Sequence, residues 1–431
     1  MSSPDSLRRE VGLGGATLLG LGSILGTGVF VSIGLAAGVA GPSVILAVVL
    51  AAIIATFNGL SSAQLAAAHP VSGGTYEYGH RFVNAPIGFA AGWMFLCAKS
   101  ASAATAALGF SGYLLHALER GDQTTLTAIA VGVVVVLTLI VAGGIRRSNR
   151  TNAVIVSVTL VALIAFVVTG APEASGELGT RLTPFFGEDG IEGLLHATAL
   201  MFVAFTGYGR IATLGEEVRA PSVTIPRAII TTLAVSAAIY VAVAVVAVGA
   251  AGTTGLGEVT RQSAAPLELI ARGLGHDTIG TVIAIGAITA MAGVLLNLIL
   301  GLSRVLLAMG RRGDMPVAVA TVHEGNPRRA VLVMGLVIAG LALIGDVKTT
   351  WSFSAFTVLV YYALTNLAAL RLPAELRRYP RWVPGLGLVS CLFVAFWVEP
   401  RVWLAGLGVL AAGFVWRAVW RALTAPRSQS R

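Results

Sequence analysis

The chain has 431 residues, of which 56% are hydrophobic and only 11% charged, with a mean hydropathy of +0.85. Soluble domains carry about a quarter charged residues, so a water-soluble globule or a string of soluble domains is excluded and lipid must cover much of the surface. The net charge of +9 does not point to nucleic acid, because the basic residues fall in short loops between apolar runs.

The stretch Met1–Glu10 is polar and charged. The apolar run after it is too long for a signal-peptide core and has no small-residue cleavage site, so it reads as a retained first span. A bilayer core needs about 20 apolar residues per helix. On that measure spans are predicted near 12–38, 43–67, 85–117, 124–144, 151–170, 190–214, 226–250, 277–309, 329–346, 350–370, 382–398 and 401–423, about twelve in all. Short extra helices are expected in His69–Asn84, Glu258–His276 and Gly310–Arg329.

Arginines crowd alternate loops. One set carries Arg8 and Arg9, Arg81, Arg146 to Arg150, Arg219 and Arg227, Arg311 to Arg329, Arg371 to Arg381 and Arg417 onward. The other set holds a few cations mixed with acids such as Glu173, Glu188 and Asp277. The positive-inside rule then places both termini in the cytoplasm, and a multi-pass protein of the plasma membrane is expected. Cys97 and Cys391 sit in apolar runs and read as small buried hydrophobes. No Cys/His cluster has zinc spacing, and no cofactor or metal is expected.

Two spans are interrupted near their middle. The first reads Gly20-Leu21-Gly22-Ser23-Ile24-Leu25-Gly26-Thr27-Gly28-Val29-Phe30, and the sixth Phe202-Val203-Ala204-Phe205-Thr206-Gly207-Tyr208-Gly209. Each glycine weakens a helix by up to about 1 kcal/mol against alanine. If spans one to five and six to ten form two halves, the breaks occupy matching places. An odd number of spans per half makes the halves inverted repeats, and such a pair of breaks is the best sequence pointer to a transporter site. Unwinding exposes amides near Gly26–Val29 that suit a carboxylate, and carbonyls near Ser23–Leu25 and Val203–Phe205 that suit an ammonium group. Together they match the head of an α-amino acid. Close helix packing is the competing use of the same glycines.

Longer segments carry a family resemblance. Gly22 to Phe30 is similar to the first-helix motif of the amino acid–polyamine–organocation (APC) superfamily. Ser61 to Tyr78, with its Pro70-Val71-Ser72-Gly73-Gly74-Thr75-Tyr76 core, resembles the second-span signature and following loop. Phe205-Thr206-Gly207-Tyr208, Gly215-Glu216-Glu217-Val218-Arg219-Ala220-Pro221 and Thr224 to Ala228 resemble the sixth helix and its exit loop. Ser303-Arg304 through Ala308-Met309-Gly310-Arg311-Arg312-Gly313-Asp314-Met315-Pro316 resembles the end of the eighth helix. The resemblance implies an all-α integral membrane protein of the leucine-transporter fold, a five-plus-five inverted repeat with two further helices. It implies substrate contacts from Ser23, Ile24, Gly26, Thr27 and Gly28 and from Val203, Ala204, Phe205, Thr206 and Gly207, with the Phe205 ring as a gate. The chain departs from common patterns at Val203, Gly209 and Gln64, which speaks against a cationic substrate.

Lys99 lies near the centre of span three, where a charge costs roughly 2.5–3.5 kcal/mol, and is the candidate coupling residue. Arg210 sits just past the second break, meeting either the cargo or the cytoplasm. Glu216, Glu217 and Arg219 read as an inner gate or as a solvated loop. Asn297 is expected to bond between helices, and His196 to make a polar contact. No carboxylate pair, metal cluster or nucleophile–base set suggests an enzyme.

The expectation is a secondary transporter moving a small neutral amino acid by alternating access, as proton symporter or exchanger. Transport of acidic amino acids, amino acid/amine antiport and a transporter-like sensor are the alternatives. Residues 1–423 form a single transporter domain, with repeats about 12–170 and 190–370, extra helices about 382–423 and a cytoplasmic tail 424–431. Its partners are an amino acid, a proton and the lipid bilayer. Oligomeric state is left open.

Overall fold

The computed structural model describes residues 11–71, 73–118, 122–144, 149–212, 218–323 and 325–424. Among them no β-strand forms, and the only β pairing is two isolated bridges, Val11 with Val218 and His323 with Asn326. Helices follow because an apolar backbone in lipid must satisfy its own hydrogen bonds.

The first crossing is α1 (Leu13–Ile24), a break, a π-helical turn (Gly28–Ser32) and α2 (Ile33–Ala40). The second is α3 (Val44–Ala68), followed by the short amphipathic α4 (Thr75–Phe82). Crossings three to five are α5 (Ala85–Ala117), α6 (Gln123–Ala142) and α7 (Asn149–Arg181). The sixth is α8 (Gly190–Phe205), a 3-10 turn (Thr206–Tyr208) and the single turn α9 (Gly209–Ala212). The seventh, α10 (Pro221–Gln262), kinks at Gly252, whose φ of 68° needs a glycine. α11 (Pro266–Gly273) precedes the eighth, α12 (Asp277–Arg311). The last four are α13 (Arg328–Ile344), α14 (Val347–Leu370), α15 (Trp382–Ala395) and α16 (Pro400–Thr424). Among the described residues nine helical stretches are long and apolar enough to cross a membrane, with Leu13–Ile24 and Trp382–Ala395 as shorter apolar helices.

α5 is the central post and packs on α14 and α12. Its 33 residues span roughly 50 Å at about 1.5 Å each, more than the ~30 Å bilayer core, so it is tilted or projects beyond the core. Alanines, serines and glycines from Ala98 to Gly112 let neighbours approach closely. Hydroxyl pairs tie the contact: Ser102 Oγ lies 2.7 Å from Ser354 Oγ, and Thr105 donates to Thr350 Oγ1 at 2.8 Å. α6 and α16 are mostly exposed, where lipid would cover them.

The sequence expectation of a helix in Gly310–Arg329 is corrected to one 3-10 turn, Val317–Ala320, since Gly313 and Pro316 stop α12 from continuing. Glu258 to Gln262 belong to the end of α10, leaving α11 as the separate helix of that loop. α7 runs through Pro172 to Arg181, eleven residues beyond the predicted end of span five.

Candidate functional site

The first break falls at Leu25 and Gly26. Leu25 is extended (φ −73°, ψ 100°), and its amide still donates to Leu21 O at 2.8 Å. Gly20 and Gly22 stay helical; a Cβ on Gly20 would collide with Ile211 and Thr232, and one on Gly22 with Asn152. They serve packing, while the bend itself is made by Leu25. Beyond it, Val29 and Phe30 both donate to Gly26 O at 3.1 and 3.2 Å. Among the described residues no acceptor faces the amides of Gly26, Thr27 and Gly28. These are the orphan donors of a helix start, at its positive end.

The sixth-crossing break lies against the first. A Cβ on Gly28 would sit 2.5 Å from Ala204 Cβ, and one on Gly207 would fall on the Ser23 carbonyl. The two breaks therefore touch backbone to backbone. Some exposed carbonyls are already occupied. Tyr240 donates to Ile24 O at 2.8 Å and reaches Ala204 O at 3.4 Å; Thr206 Oγ1 donates to Val203 O at 2.7 Å; Tyr362 donates to Thr206 O at 3.2 Å. No donor among the described residues reaches Ser23 O.

A cavity of about 150 Å³ opens beside the crossing, room for about ten waters. The breaks form one wall, through Ser23, Ile24, Thr27, Gly28, Val203, Ala204, Thr206 and Gly207. Phe95 and Lys99 of α5, Val294 and Leu298 of α12, and Trp351 of α14 face them. Lys99 is buried, and its Nζ donates to Thr206 Oγ1 at 2.7 Å, which fastens α5 to the 3-10 turn of the sixth crossing. The Thr27 hydroxyl on the wall of the breaks and the Tyr78 hydroxyl of α4 are each buried without a partner. The lining continues toward the arginine-rich end through Arg210, Arg304 and Gly73 to Thr75. Toward the other end the packing closes: Trp351 donates to Leu200 O at 3.0 Å, and Tyr113 donates to Phe30 O at 2.8 Å.

α4 has two working faces. One lines the cavity, with Thr75 Oγ1 bonded to Tyr361 and Thr365 at 2.9 and 2.8 Å. The other is anchored on Asp314, fully buried just after α12. Tyr76 donates to its Oδ2 at 2.9 Å, His80 Nε2 lies 3.5 Å away, and Arg417 and Arg421 of α16 reach Oδ1 at 3.4 and 3.1 Å. Burial pushes this carboxyl up, but hydrogen bonds from His80 and Tyr76 and the charges of His80 and Arg417 hold it below the usual carboxylate range. Arg312 adds a two-pronged ion pair to Glu77.

Of the ten residues expected to contact substrate, eight are on the cavity wall; Gly26 and Phe205 are not among the lining. Gly26 is pressed on Val294, and the Phe205 ring is fully buried 5.0 Å from the Tyr240 ring. Glu216 and Glu217 lie outside the described residues. Arg219 is exposed, and its amide donates to Val11 O at 2.9 Å. Asn297 lines the cavity and, against expectation, makes no interhelical hydrogen bond among the described residues. His196 lies off the cavity, and its Nε2 is buried without a partner. Tyr240, Tyr361 and Tyr362 carry polar groups into the site or its frame with no local signal to mark them, while Tyr78 and Arg304 fell inside motif segments without being singled out for the site.

The profile of the amino acid permease family matches residues 15–425. An uncharacterized transporter of Mycobacterium tuberculosis is 42% identical over 98% of this chain and 93% of its own length. A branched-chain amino acid permease of Bacillus subtilis is 28% identical over 91% of this chain and 89% of its own. Human cationic amino acid transporter 4 is 29% identical over 85% of this chain and 60% of its own. The chain belongs to the amino acid permease family: it is a multi-pass membrane transporter and not an enzyme.

Proposed function

We propose that this permease carries a small neutral α-amino acid by alternating access, with its head group at the crossing of the two breaks. The observation that carries the reading is the pair of Thr27 and Gly28 amides, without acceptors, on the wall of the cavity. Anions bind at such helix starts. The Thr27 hydroxyl would join them on the carboxylate, and Ser23 O, with the second lone pairs of Ile24 O and Ala204 O, would take the ammonium.

Phe95, Val294, Leu298 and Trp351 offer an apolar surface to the side chain. No carboxylate lines the cavity among the described residues, while Lys99, Arg210 and Arg304 do. A lysine or arginine cargo would find no carboxylate among the described lining residues, so the neutral reading is favoured over the cationic one.

Lys99 is the proposed coupling residue. It holds the sixth-crossing turn through Thr206, so a change in its protonation would act directly on the break. The arginine alternation supports cytoplasmic termini, and with them a cavity open to the inside; the plasma membrane is the proposed location. The two breaks, five crossings apart, support repeats of about 12–170 and 190–370 within one domain, with α15 and α16 outside them.

Purified protein in liposomes tests this. Labelled neutral amino acids are expected to show counterflow against unlabelled cargo and faster uptake under an inward proton gradient. Failure of every amino acid and amine to move would overturn the reading.

A further inference from the structure

We infer that the cytoplasmic end of the cavity holds a second subsite for a carboxylate, formed by Arg304, the Tyr78 hydroxyl and the Tyr76 amide at the start of α4. This rests on the transport reading above and extends it.

Three observations meet here. Arg304 is exposed on the lining, on the cavity-facing side of α12 one and two turns beyond Gly301 and Asn297, and no carboxylate pairs with it among the described residues. Gly73, Gly74 and Thr75 bring the start of α4 to the same cavity. Gly74, at φ 56°, offers no side-chain cap, and Glu77 and Tyr78 both donate to its carbonyl at 3.1 Å. The Thr75 amide turns to the Tyr361 oxygen, which leaves the Tyr76 amide as the helix-start donor without an acceptor among the described residues. Independently, the Tyr78 hydroxyl lines the cavity, buried to all but 2% and without a partner. Glu77, the acid in the first turn of α4, is engaged by Arg312, so its charge is met from the other side.

These donors are of one kind. A guanidinium, a phenolic O–H and a helix-start amide all seek an anionic oxygen. They lie at the opposite end of the cavity from the Thr27 and Gly28 amides, so a carboxylate has two stations along one path. A neutral amino acid leaving the central crossing would pass its head-group carboxylate to the inner station on its way to the cytoplasm. The same chemistry would also hold the side-chain carboxylate of an acidic amino acid whose head group stays at the crossing.

The test is transport measured from each face in orientation-resolved liposomes, with neutral and dicarboxylic amino acids, for wild type, Arg304→Gln and Tyr78→Phe. Loss of one charge-assisted bond is worth about tenfold. An exit station for the head group predicts an inner-face KM for neutral cargo about tenfold higher in both variants, with the outer-face KM within about twofold of wild type. A side-chain site predicts that dicarboxylic transport falls about tenfold from both faces while neutral transport is kept. Wild-type KM at both faces for both cargo classes, in both variants, overturns the subsite while leaving the transport reading intact. A wild type that moves no amino acid from either face overturns the transport reading and the subsite with it. Tyr78→Phe removes one oxygen from a packed ring, so it serves should Arg304→Gln not fold.

Discussion

Alanine at Gly28 and alanine at Gly301 add the same methyl group to facing sides of one cavity, with opposite expected results. At Gly28 the new Cβ would lie 2.5 Å from Ala204 Cβ, 2.9 Å from Ala204 Cα and 3.0 Å from the Tyr240 oxygen. Carbon atoms rest at about 3.5–4.0 Å, so the two broken crossings would have to part by roughly 1 Å. Neither neighbour is the far end of a flexible side chain, so relief must come from the backbone. Overpacking of this sort costs about 1–3 kcal/mol. A 1 Å misplacement of positioning groups costs up to about a hundredfold in an enzyme, and the same order of loss in transport kcat/KM is expected here. At Gly301 nothing lies within 4 Å of the added Cβ. Gly301→Ala should keep wild-type thermal stability, transport the smallest cargo normally and raise KM only for bulkier side chains. The assays are a thermal melt of purified protein and liposome counterflow for each variant. A Gly28→Ala protein with wild-type melting and transport, or a Gly301→Ala protein destabilised as much as Gly28→Ala, would refute the crossing geometry.

Lys99→Ala should retain counterflow but lose the response of uptake to an imposed proton gradient; an unchanged response would remove Lys99 from coupling. Tyr240→Phe deletes the hydroxyl bonded to Ile24 O and Ala204 O and should lower stability by about 1 kcal/mol, read as a small drop in melting temperature with the ring packing on Phe205 preserved. For Asp314 the linkage runs from a carboxyl held below its ordinary value in the folded protein. Its stabilisation is present above the unfolded pKa of about 3.9 and is lost as pH falls through the lower folded value. Wild type should therefore out-melt Asp314→Asn at neutral pH, with the gap closing only in strong acid. A gap that closes already near pH 6 would contradict this assignment.

What sequence alone disclosed follows physical range. The spans were readable because lipid demands long apolar helices, and α5 was bounded correctly at Ala85 and Ala117. The breaks were placed to within a residue or two, since helix weakness is a local property. The role of individual glycines was not: Gly20 and Gly22 resemble helix breakers, yet each is required by a neighbour about 130 to 210 positions away, Asn152 for one and Ile211 and Thr232 for the other. The occupied carbonyls escaped notice for the same reason, because Tyr240 and Tyr362 reach them from α10 and α14. Asp314 drew attention only as part of a motif. Its meaning depends on α4 and α16, which converge on it from about 240 positions before and 100 after.

The head-group end of the cavity is walled largely by main chain, and main chain is blind to mutation. A substitution at Thr27 or Ser23 alters a side chain but leaves its amide and carbonyl where they were, provided the two breaks still fit. Cargo preference is then free to drift through Phe95, Leu298 and Gly301, which stand on intact helices and make no bond to the breaks. Such a division lets a lineage explore new nutrients one side chain at a time without first dismantling its grip on what all α-amino acids have in common.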